Sequence, residues 1–275
     1  MDTTLQALVL GIVQGLTEFL PVSSSGHLII VPALLGWKDP FIDSLTFSVM
    51  LHMGTLVALL VYFWRDWLRL VPAGLAAIRD RSFSDDPDRR LAWLLVTTMI
   101  PAVIAGVLLN DVIESNVRMP GLVALLLVVG AAILWLADRV GRQDRRIADL
   151  SFGAALGIGA AQALALFPGI SRSGISISAG RFLGLSRPEA ARFSFLMATP
   201  IIAGAGAWEG LKLIRGGSDV PIELGPLAVG MVAALLSGLL AIRFLLAWLT
   251  THRLTVFVAY RIIVAAIVVV WFLAP

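Results

Sequence analysis

The chain has 275 residues, of which 59% are hydrophobic and only 14% are charged, and its mean hydropathy is +0.92. Because a soluble domain of this size needs a more polar surface, the composition predicts an integral membrane protein with enough apolar sequence for several crossings of ~20 residues. The absence of cysteine excludes disulfides, thiolate metal sites and a cysteine nucleophile. The net charge is +3, but the arginines cluster in two segments between apolar runs, as they do in cytoplasmic loops, and this argues against a nucleic-acid partner.

Six apolar stretches are long enough to be full membrane spans. They lie at roughly 44–64, 91–109, 120–137, 192–211, 226–249 and 255–274. Two further apolar regions, 5–36 and 150–185, are each interrupted by proline, glycine and serine. Since non-helical backbone is tolerated at membrane depth only inside protein or beside water, each region is predicted to be a re-entrant helix hairpin that returns to its own side. No cleavable signal peptide is predicted, because no positive segment precedes the first apolar run.

The basic segments orient these spans. They contain Arg79, Arg81, Arg89 and Arg90 in the first segment, and Arg139, Arg142, Arg145 and Arg146 in the second. Two spans separate them, so both are predicted to face the cytoplasm. The segments 110–119 and 212–225 are then predicted to be outer loops, with both termini outside, and residues 67–78 to form a helix at the cytoplasmic interface.

An internal repeat relates the two halves of the chain. A shift of 148 residues gives ten identities over positions 11–36, and the ordered polar set within them is hard to obtain by chance. The pairs include Gln14 with Gln162, Ser23 with Ser171, Ser25 with Ser173, and Gly26 with Gly174. Each half is one hairpin and three spans, so the second half begins on the opposite side of the membrane. The sequence therefore predicts a single all-α polytopic membrane domain, 1–275, in which halves 1–145 and 146–275 form an inverted-topology repeat whose breaks meet near the midplane.

The first break carries ionisable side chains in an apolar setting. Gln14 and Glu18 are four residues apart and share a helix face, and Pro21 and the following serines end that helix and begin the next. Exposed backbone N–H groups at such a helix N-terminus bind anions. An ionisable group in a membrane segment costs ~2.5–3.5 kcal/mol and is a functional candidate, which singles out Glu18 and His27.

The second break places Arg172 among serine hydroxyls, and its guanidinium suits bidentate binding of phosphate. Together the breaks indicate a site for phosphate or pyrophosphate with a divalent cation, since Glu and Gln oxygens are hard ligands. The serines also have a structural interpretation, as hydrogen-bond donors to backbone. A role in the site is left open for His52, and Arg243 and Arg261 are predicted to extend towards the interface from helix ends.

Two motifs in these breaks carry a resemblance to a known family. The pattern Q-x-x-x-E followed by P-V-S-S-S-G-H over 14–27, and P-G-I-S-R-S over 168–173, resemble the signatures of the bacitracin-resistance-type undecaprenyl-pyrophosphate phosphatases. The resemblance implies hydrolysis of undecaprenyl pyrophosphate to undecaprenyl phosphate and inorganic phosphate, which recycles the lipid carrier for peptidoglycan synthesis. It also implies a bacterial inner (plasma) membrane protein whose site opens to the periplasm or outer face, dependence on Mg²⁺ or Ca²⁺, and bacitracin resistance when the protein is abundant.

Residue roles follow from that resemblance position by position. Glu18 would bind the metal with Gln14 or act as a base, and Arg172 would hold the pyrophosphate. Ser24 would be the nucleophile, with His27 activating it or protonating the leaving group; His27 itself and a metal-bound water are the alternatives. The remaining polar residues of the breaks would bind substrate: Ser23, Ser25, Gly26, Ser171, Ser173, Gly174 and Ser176. The first motif position, often glutamate in the family, is glutamine here, which removes one charge from the metal site.

A different class of function also fits the pattern. Inverted repeats with broken helices are the architecture of transporters, so a transporter or flippase of a lipid phosphate is the alternative prediction. A purely structural membrane scaffold would leave the polar repeat unexplained. The sequence leaves a homodimer open.

Overall fold

The computed structural model describes residues 2–116, 119–215, 217 and 220–273, with the side chains of all of these except 109–116 and 273. This part of the chain is almost entirely helical and contains no β-strand. Its α-helices are α1 (Thr3–Phe19), α2 (Ser24–Leu35), α3 (Leu45–Tyr62), α4 (Trp64–Asp80), α5 (Pro87–Asn116), α6 (Pro120–Val140), α7 (Phe152–Ala163), α8 (Arg172–Phe182), α9 (Arg187–Ile214), α10 (Leu224–Trp248) and α11 (Thr255–Leu273).

Six of these helices, α3, α5, α6, α9, α10 and α11, are long and apolar enough to cross a membrane. They coincide with the six predicted spans, so the multi-pass all-α prediction is confirmed. The prediction that 110–119 is a loop is wrong for residues 110–116, because α5 continues to Asn116. Hydropathy falls at Asn110, but neither glycine nor proline occurs between Gly106 and Pro120, so the helix outlasts the apolar run.

The two interrupted regions each form two helices with a break between them. The region 5–36 contains α1 and α2, and the region 150–185 contains α7, a 3₁₀ turn at Leu164–Leu166, and α8. The ends of each region lie together. Thr3 Oγ1 donates a hydrogen bond of 2.7 Å to Asp39 Oδ2, and the Arg145 amide donates one of 3.1 Å to the Gly184 carbonyl.

Helices from the two halves pack in matching pairs. Helix α1 packs against α10, and its repeat counterpart α7 packs against α5; α3 pairs with α9, and α6 with α11. Small residues allow these close approaches. A Cβ at Gly11 of α1 would overlap the Gly230 carbonyl of α10, and one at the equivalent Gly159 of α7 would overlap the Thr98 carbonyl of α5.

The predicted interfacial segment 67–78 lies inside α4, an amphipathic helix. Asp66 and Leu70 are buried, whereas Leu68, Leu75 and other apolar side chains are exposed. The helix rests on α5, where the Trp93 indole donates to the Gly74 carbonyl at 3.2 Å. Such a helix suits a membrane surface, because it offers lipid an apolar face while its charged residues reach water.

Candidate active site in the membrane

The two breaks have the same local structure. Ser23 precedes α2 and Ser171 precedes α8, with left-handed φ values of 79° and 74° that cost a non-glycine residue about 1–3 kcal/mol each. Each hydroxyl accepts from the amide three residues later, at 3.4 Å from Gly26 and 3.1 Å from Gly174. These caps satisfy backbone donors that would otherwise face the membrane interior unpaired.

The breaks also contact each other directly, as the repeat predicts. The Gly169 amide donates to Ser23 Oγ at 3.1 Å, and Ser173 Oγ donates to the Leu20 carbonyl at 3.1 Å. Residues distant in sequence are therefore neighbours, and the first residues of α2 and α8, Ser24 and Arg172, reach the same carboxylate.

That carboxylate belongs to Glu18, which is buried on α1. Its Oε2 accepts from Ser24 Oγ at 2.5 Å and from Gln14 Nε2 at 3.0 Å, and His52 Nε2 of α3 lies 3.4 Å away. Its Oε1 forms an ion pair with Arg172. Gln14, Ser24 and Arg172, from three helices, thus compensate a charge that would be costly to bury alone.

A cavity of about 240 Å³ opens beside this cluster. Five predicted site residues line it: Glu18, Ser24, Ser25, Ser171 and Arg172. Its walls are apolar side chains of α3, α5 and α9 together with the second break. The arrangement suits a charged headgroup held by Arg172 while an apolar tail stays among hydrophobic helices.

Other predicted residues are adjacent to the cavity without lining it. Gln14 lies behind Glu18, and Ser23, Gly26, Ser173 and Gly174 build the two caps and the contact between the breaks. Ser176 donates to the Arg172 carbonyl at 2.7 Å and contacts Ser194 of α9 at 2.6 Å. These side chains hold the backbone that presents Ser24 and Arg172.

His27 is turned away from the cavity. Its Nδ1 lies 2.7 Å from the Ser23 carbonyl oxygen, which can only accept, so Nδ1 carries the hydrogen. In the neutral ring Nε2 then accepts from the Tyr260 hydroxyl of α11 at 2.8 Å. Both nitrogens of His27 are thereby engaged in fixing the first break against α11.

Arg261 corrects a sequence prediction. The prediction that it extends to the interface from a helix end is wrong, because Arg261 is fully buried in α11. Its guanidinium donates to carbonyls of both breaks, at 3.3 Å to Pro21, 2.7 Å to Gly169 and 3.0 Å to Ile170, and to Leu127 of α6. An arginine seven residues into an apolar helix was the available signal, since it is too deep to reach water easily.

Two further residues of the site were not among the predicted set. His52 lines the cavity next to Glu18, and its role had been left open. Gln162, the repeat counterpart of Gln14, also lines the cavity while nine-tenths buried. Neither amide atom of Gln162 has a hydrogen-bond partner within the described part of the chain. Its place in the repeat was the signal that could have identified it.

The oxygen donors near Glu18 are its own carboxylate and the amide of Gln14, both of which are hard ligands. No group of three or more histidine, aspartate or glutamate side chains that could hold a metal occurs in the described residues. Gln14 Oε1 is, however, buried without a partner there, next to the Glu18 carboxylate. One carboxylate and an amide oxygen fit a cation such as Mg²⁺, which takes few protein ligands and completes its shell with substrate phosphates and water.

The fold and the site together define a polytopic α-helical membrane protein with a polar pocket formed where two broken helices meet. The chain belongs to the BacA family, described as bacitracin resistance protein BacA, whose pattern matches residues 7–267. A protein of Desulforudis audaxviator named undecaprenyl-diphosphatase is 48% identical over 265 residues, 96% of either chain. Proteins with the same name from Moorella thermoacetica and Thermomicrobium roseum are each 46% identical, covering 98% and 94% of either chain. The family predicted from the two motifs is confirmed.

Proposed function

We propose that this protein is an undecaprenyl-diphosphatase. It hydrolyses undecaprenyl pyrophosphate to undecaprenyl phosphate and inorganic phosphate, and so returns the lipid carrier to peptidoglycan synthesis. The observation that carries the proposal is the joining of Glu18, Ser24 and Arg172 at one cavity among apolar helices. Near-complete coverage of relatives that bear this name supports the substrate.

The geometry supports a nucleophilic role for Ser24 with Glu18 as its base. Ser24 Oγ attacks the terminal phosphorus, its proton passes to Glu18 Oε2 at 2.5 Å, and undecaprenyl phosphate leaves with the electrons of the broken P–O bond. The leaving group takes this proton back from Glu18. In the second step water attacks the phosphoserine and gives its proton to Glu18, which returns it to Ser24 Oγ as inorganic phosphate is released. The structure argues against direct attack by His27, because both ring nitrogens of His27 are hydrogen-bonded outside the cavity. A metal-bound water remains the alternative nucleophile.

Arg172 binds the pyrophosphate in this proposal. Before substrate arrives it pairs with Glu18, so the two charges neutralise each other inside the membrane. When substrate binds, its phosphate oxygens replace the Glu18 carboxylate as partners of the guanidinium. Glu18 is then free to act as the base. Gln14 and Glu18 would hold a divalent cation, Mg²⁺ or Ca²⁺, which would neutralise charge on the phosphate oxygens.

The inverted arrangement belongs to the same proposal. Each broken region enters the membrane and returns to its own side, which the Thr3–Asp39 and Arg145–Gly184 contacts between its ends support. The basic segments face the cytoplasm. The cavity is lined by Val49 of α3 and Ala205 of α9, which lie in the halves of these helices farther along the chain from the basic segments, so we place its opening at the outer face of a bacterial inner membrane. Halves 1–145 and 146–275 form a single membrane domain.

A transporter or flippase of a lipid phosphate is the second candidate. The matching pairs of helices from the two halves favour a transporter, because transporters with alternating access move one repeat against the other. It differs from the first proposal in requiring no chemical change of the lipid.

Phosphate release separates the two candidates. Purified protein in detergent is given a C15 or C55 pyrophosphate with Mg²⁺ or Ca²⁺, and inorganic phosphate is measured with and without EDTA. We expect release that EDTA abolishes. Glu18→Gln should reduce release by about 10²–10⁴-fold, since it removes the base. Glu209→Gln is the matched control: Glu209 is also a buried carboxylate in a predicted span, but it accepts from Thr46 and does not line the cavity. Absence of phosphate release from the unmodified protein would refute the proposed phosphatase activity.

A further inference from the structure

His52 has the hydrogen-bonding arrangement that metal-binding histidines commonly have. Its Nδ1 is 2.7 Å from the Ser48 carbonyl oxygen one turn earlier on α3. Because a carbonyl only accepts, Nδ1 carries the hydrogen, and Nε2 presents its lone pair to the cavity. Metal-binding histidines are commonly fixed in this way, with the second ring nitrogen donating to a carbonyl.

The atom opposite that lone pair is also an acceptor. His52 Nε2 faces Glu18 Oε2 at 3.4 Å, longer than the 2.7–2.9 Å typical of a charge-assisted hydrogen bond. A neutral imidazole nitrogen and a carboxylate oxygen repel each other at this approach. A cation held between them turns the repulsion into two attractive contacts.

Further donors face the same space. Gln162 presents an unpartnered amide to the cavity, and Ser24 Oγ is hydrogen-bonded to the carboxylate that faces His52. The cavity thus offers oxygen donors from the two broken regions and one nitrogen donor from α3. Nothing in the two sequence motifs includes that nitrogen.

We infer that His52 is a ligand of the divalent cation of this site. The inference rests on the proposed function, which supplies the cation, and it adds a nitrogen to an otherwise hard oxygen set. Imidazole is a good ligand for first-row transition metals, whereas Mg²⁺ and Ca²⁺ prefer oxygen. This site should therefore bind Mn²⁺ or Zn²⁺ more tightly than it binds Mg²⁺ or Ca²⁺.

The ligand can be identified by electron paramagnetic resonance without measuring activity. The full chain, purified through a tag that lacks histidine, is titrated with Mn²⁺, and electron spin echo envelope modulation is recorded on the bound ion. We expect an imidazole nitrogen coupling that changes from the ¹⁴N to the ¹⁵N pattern when the protein is grown with ¹⁵N-histidine. This measurement needs no substitution, so it does not depend on the folding of a variant.

Substitutions then assign the coupling to one residue. The chain has three histidines, so in His27→Gln/His252→Gln only His52 remains. That variant should keep the coupling, whereas His52→Gln should lose it and bind Mn²⁺ about tenfold or more weakly.

Three outcomes would overturn the inference: no Mn²⁺ binding, bound Mn²⁺ without imidazole coupling, or coupling that persists in His52→Gln. If phosphate release still depends on Glu18 and is still abolished by EDTA, the proposed function survives any of these results and only the role of His52 fails.

Discussion

Ser24 and Ser25 are adjacent serines that differ in what their hydroxyls contact. Both line the cavity, but Ser24 Oγ is 2.5 Å from the Glu18 carboxylate, whereas Ser25 Oγ lies 3.4 Å from Ser23. We expect Ser24→Ala to reduce phosphate release by about 10³-fold or more, because it removes the nucleophile. Ser25→Ala removes a neighbouring hydroxyl that is not hydrogen-bonded to Glu18, so it should lose far less activity than Ser24→Ala.

Trapping the intermediate tests the same role independently. Rapid acid quench during turnover of a substrate labelled in its terminal phosphate should leave label on Ser24, detectable by mass spectrometry. Near-normal turnover in Ser24→Ala, or label on His27, would remove serine as the nucleophile. Absence of label together with retained turnover would favour attack by water.

The residues that sequence could identify are those inside the two motifs. Glu18 and Arg172 are ionisable groups in apolar segments, and the repeat aligns the breaks that carry Ser24 and Arg172, so their meeting was predictable. His52 and Arg261 lie on α3 and α11, outside both motifs, and their contacts depend on how those helices pack. The depth of Arg261 in α11 indicates burial, but nothing local in the sequence identifies the five carbonyls that it contacts.

At the scale of helices, Arg261 joins α11 to both breaks through their carbonyls, and Gly130 of α6 makes room for it. A Cβ at Gly130 would lie 2.8 Å from Arg261 Cζ and from the Ile170 carbonyl oxygen. We expect Gly130→Ala to lower the free energy of unfolding by about 1–3 kcal/mol through overpacking. We also expect it to slow phosphate release by about 100-fold, because a displacement of about 1 Å at the breaks misplaces the reacting groups.

Gly121→Ala provides the control on the same helix. A Cβ at Gly121 meets nothing within 4 Å, so this variant changes helix propensity without crowding. Thermal unfolding followed by tryptophan fluorescence, together with the phosphate assay, compares the two. Equal behaviour of the two alanine variants would contradict a role for Arg261 in holding the breaks.

Helix positions were predictable where hydropathy and helix breakers agree. Pro21 and Pro168, with their neighbouring glycines and serines, predicted the two breaks. The structure has both breaks at these positions. The end of α5 was placed too early because hydropathy responds to Asn110, whereas the backbone helix continues until a breaker arrives. Hydropathy predicts where a segment leaves the lipid, whereas helix propensity predicts where the backbone hydrogen bonding of the helix ends.

Across the fold, the repeat predicted which helices would be equivalent but not how they would pair. The observed pairs, α1 with α10 and α7 with α5, follow from small residues such as Gly11 and Gly159 that face backbone of the other half. Single-sequence periodicity cannot assign such partners, because every apolar face in a membrane is compatible with lipid or with another helix.

The side of the membrane on which each broken region begins and ends is the remaining test of the inverted arrangement. The chain has no cysteine, so single cysteines placed at exposed positions report their own side with a membrane-impermeant thiol reagent. We expect Asp2→Cys and Lys38→Cys, which flank the first broken region, both to be labelled from outside intact cells. Asp85→Cys and Gln143→Cys lie in the basic segments and should react only after permeabilisation, because positive segments stay in the cytoplasm.

If Asp2→Cys and Lys38→Cys reacted from opposite sides, the first broken region would cross the membrane once and could not return to its own side. The halves would then have the same orientation, and the breaks could not enter from opposite faces to meet at Glu18.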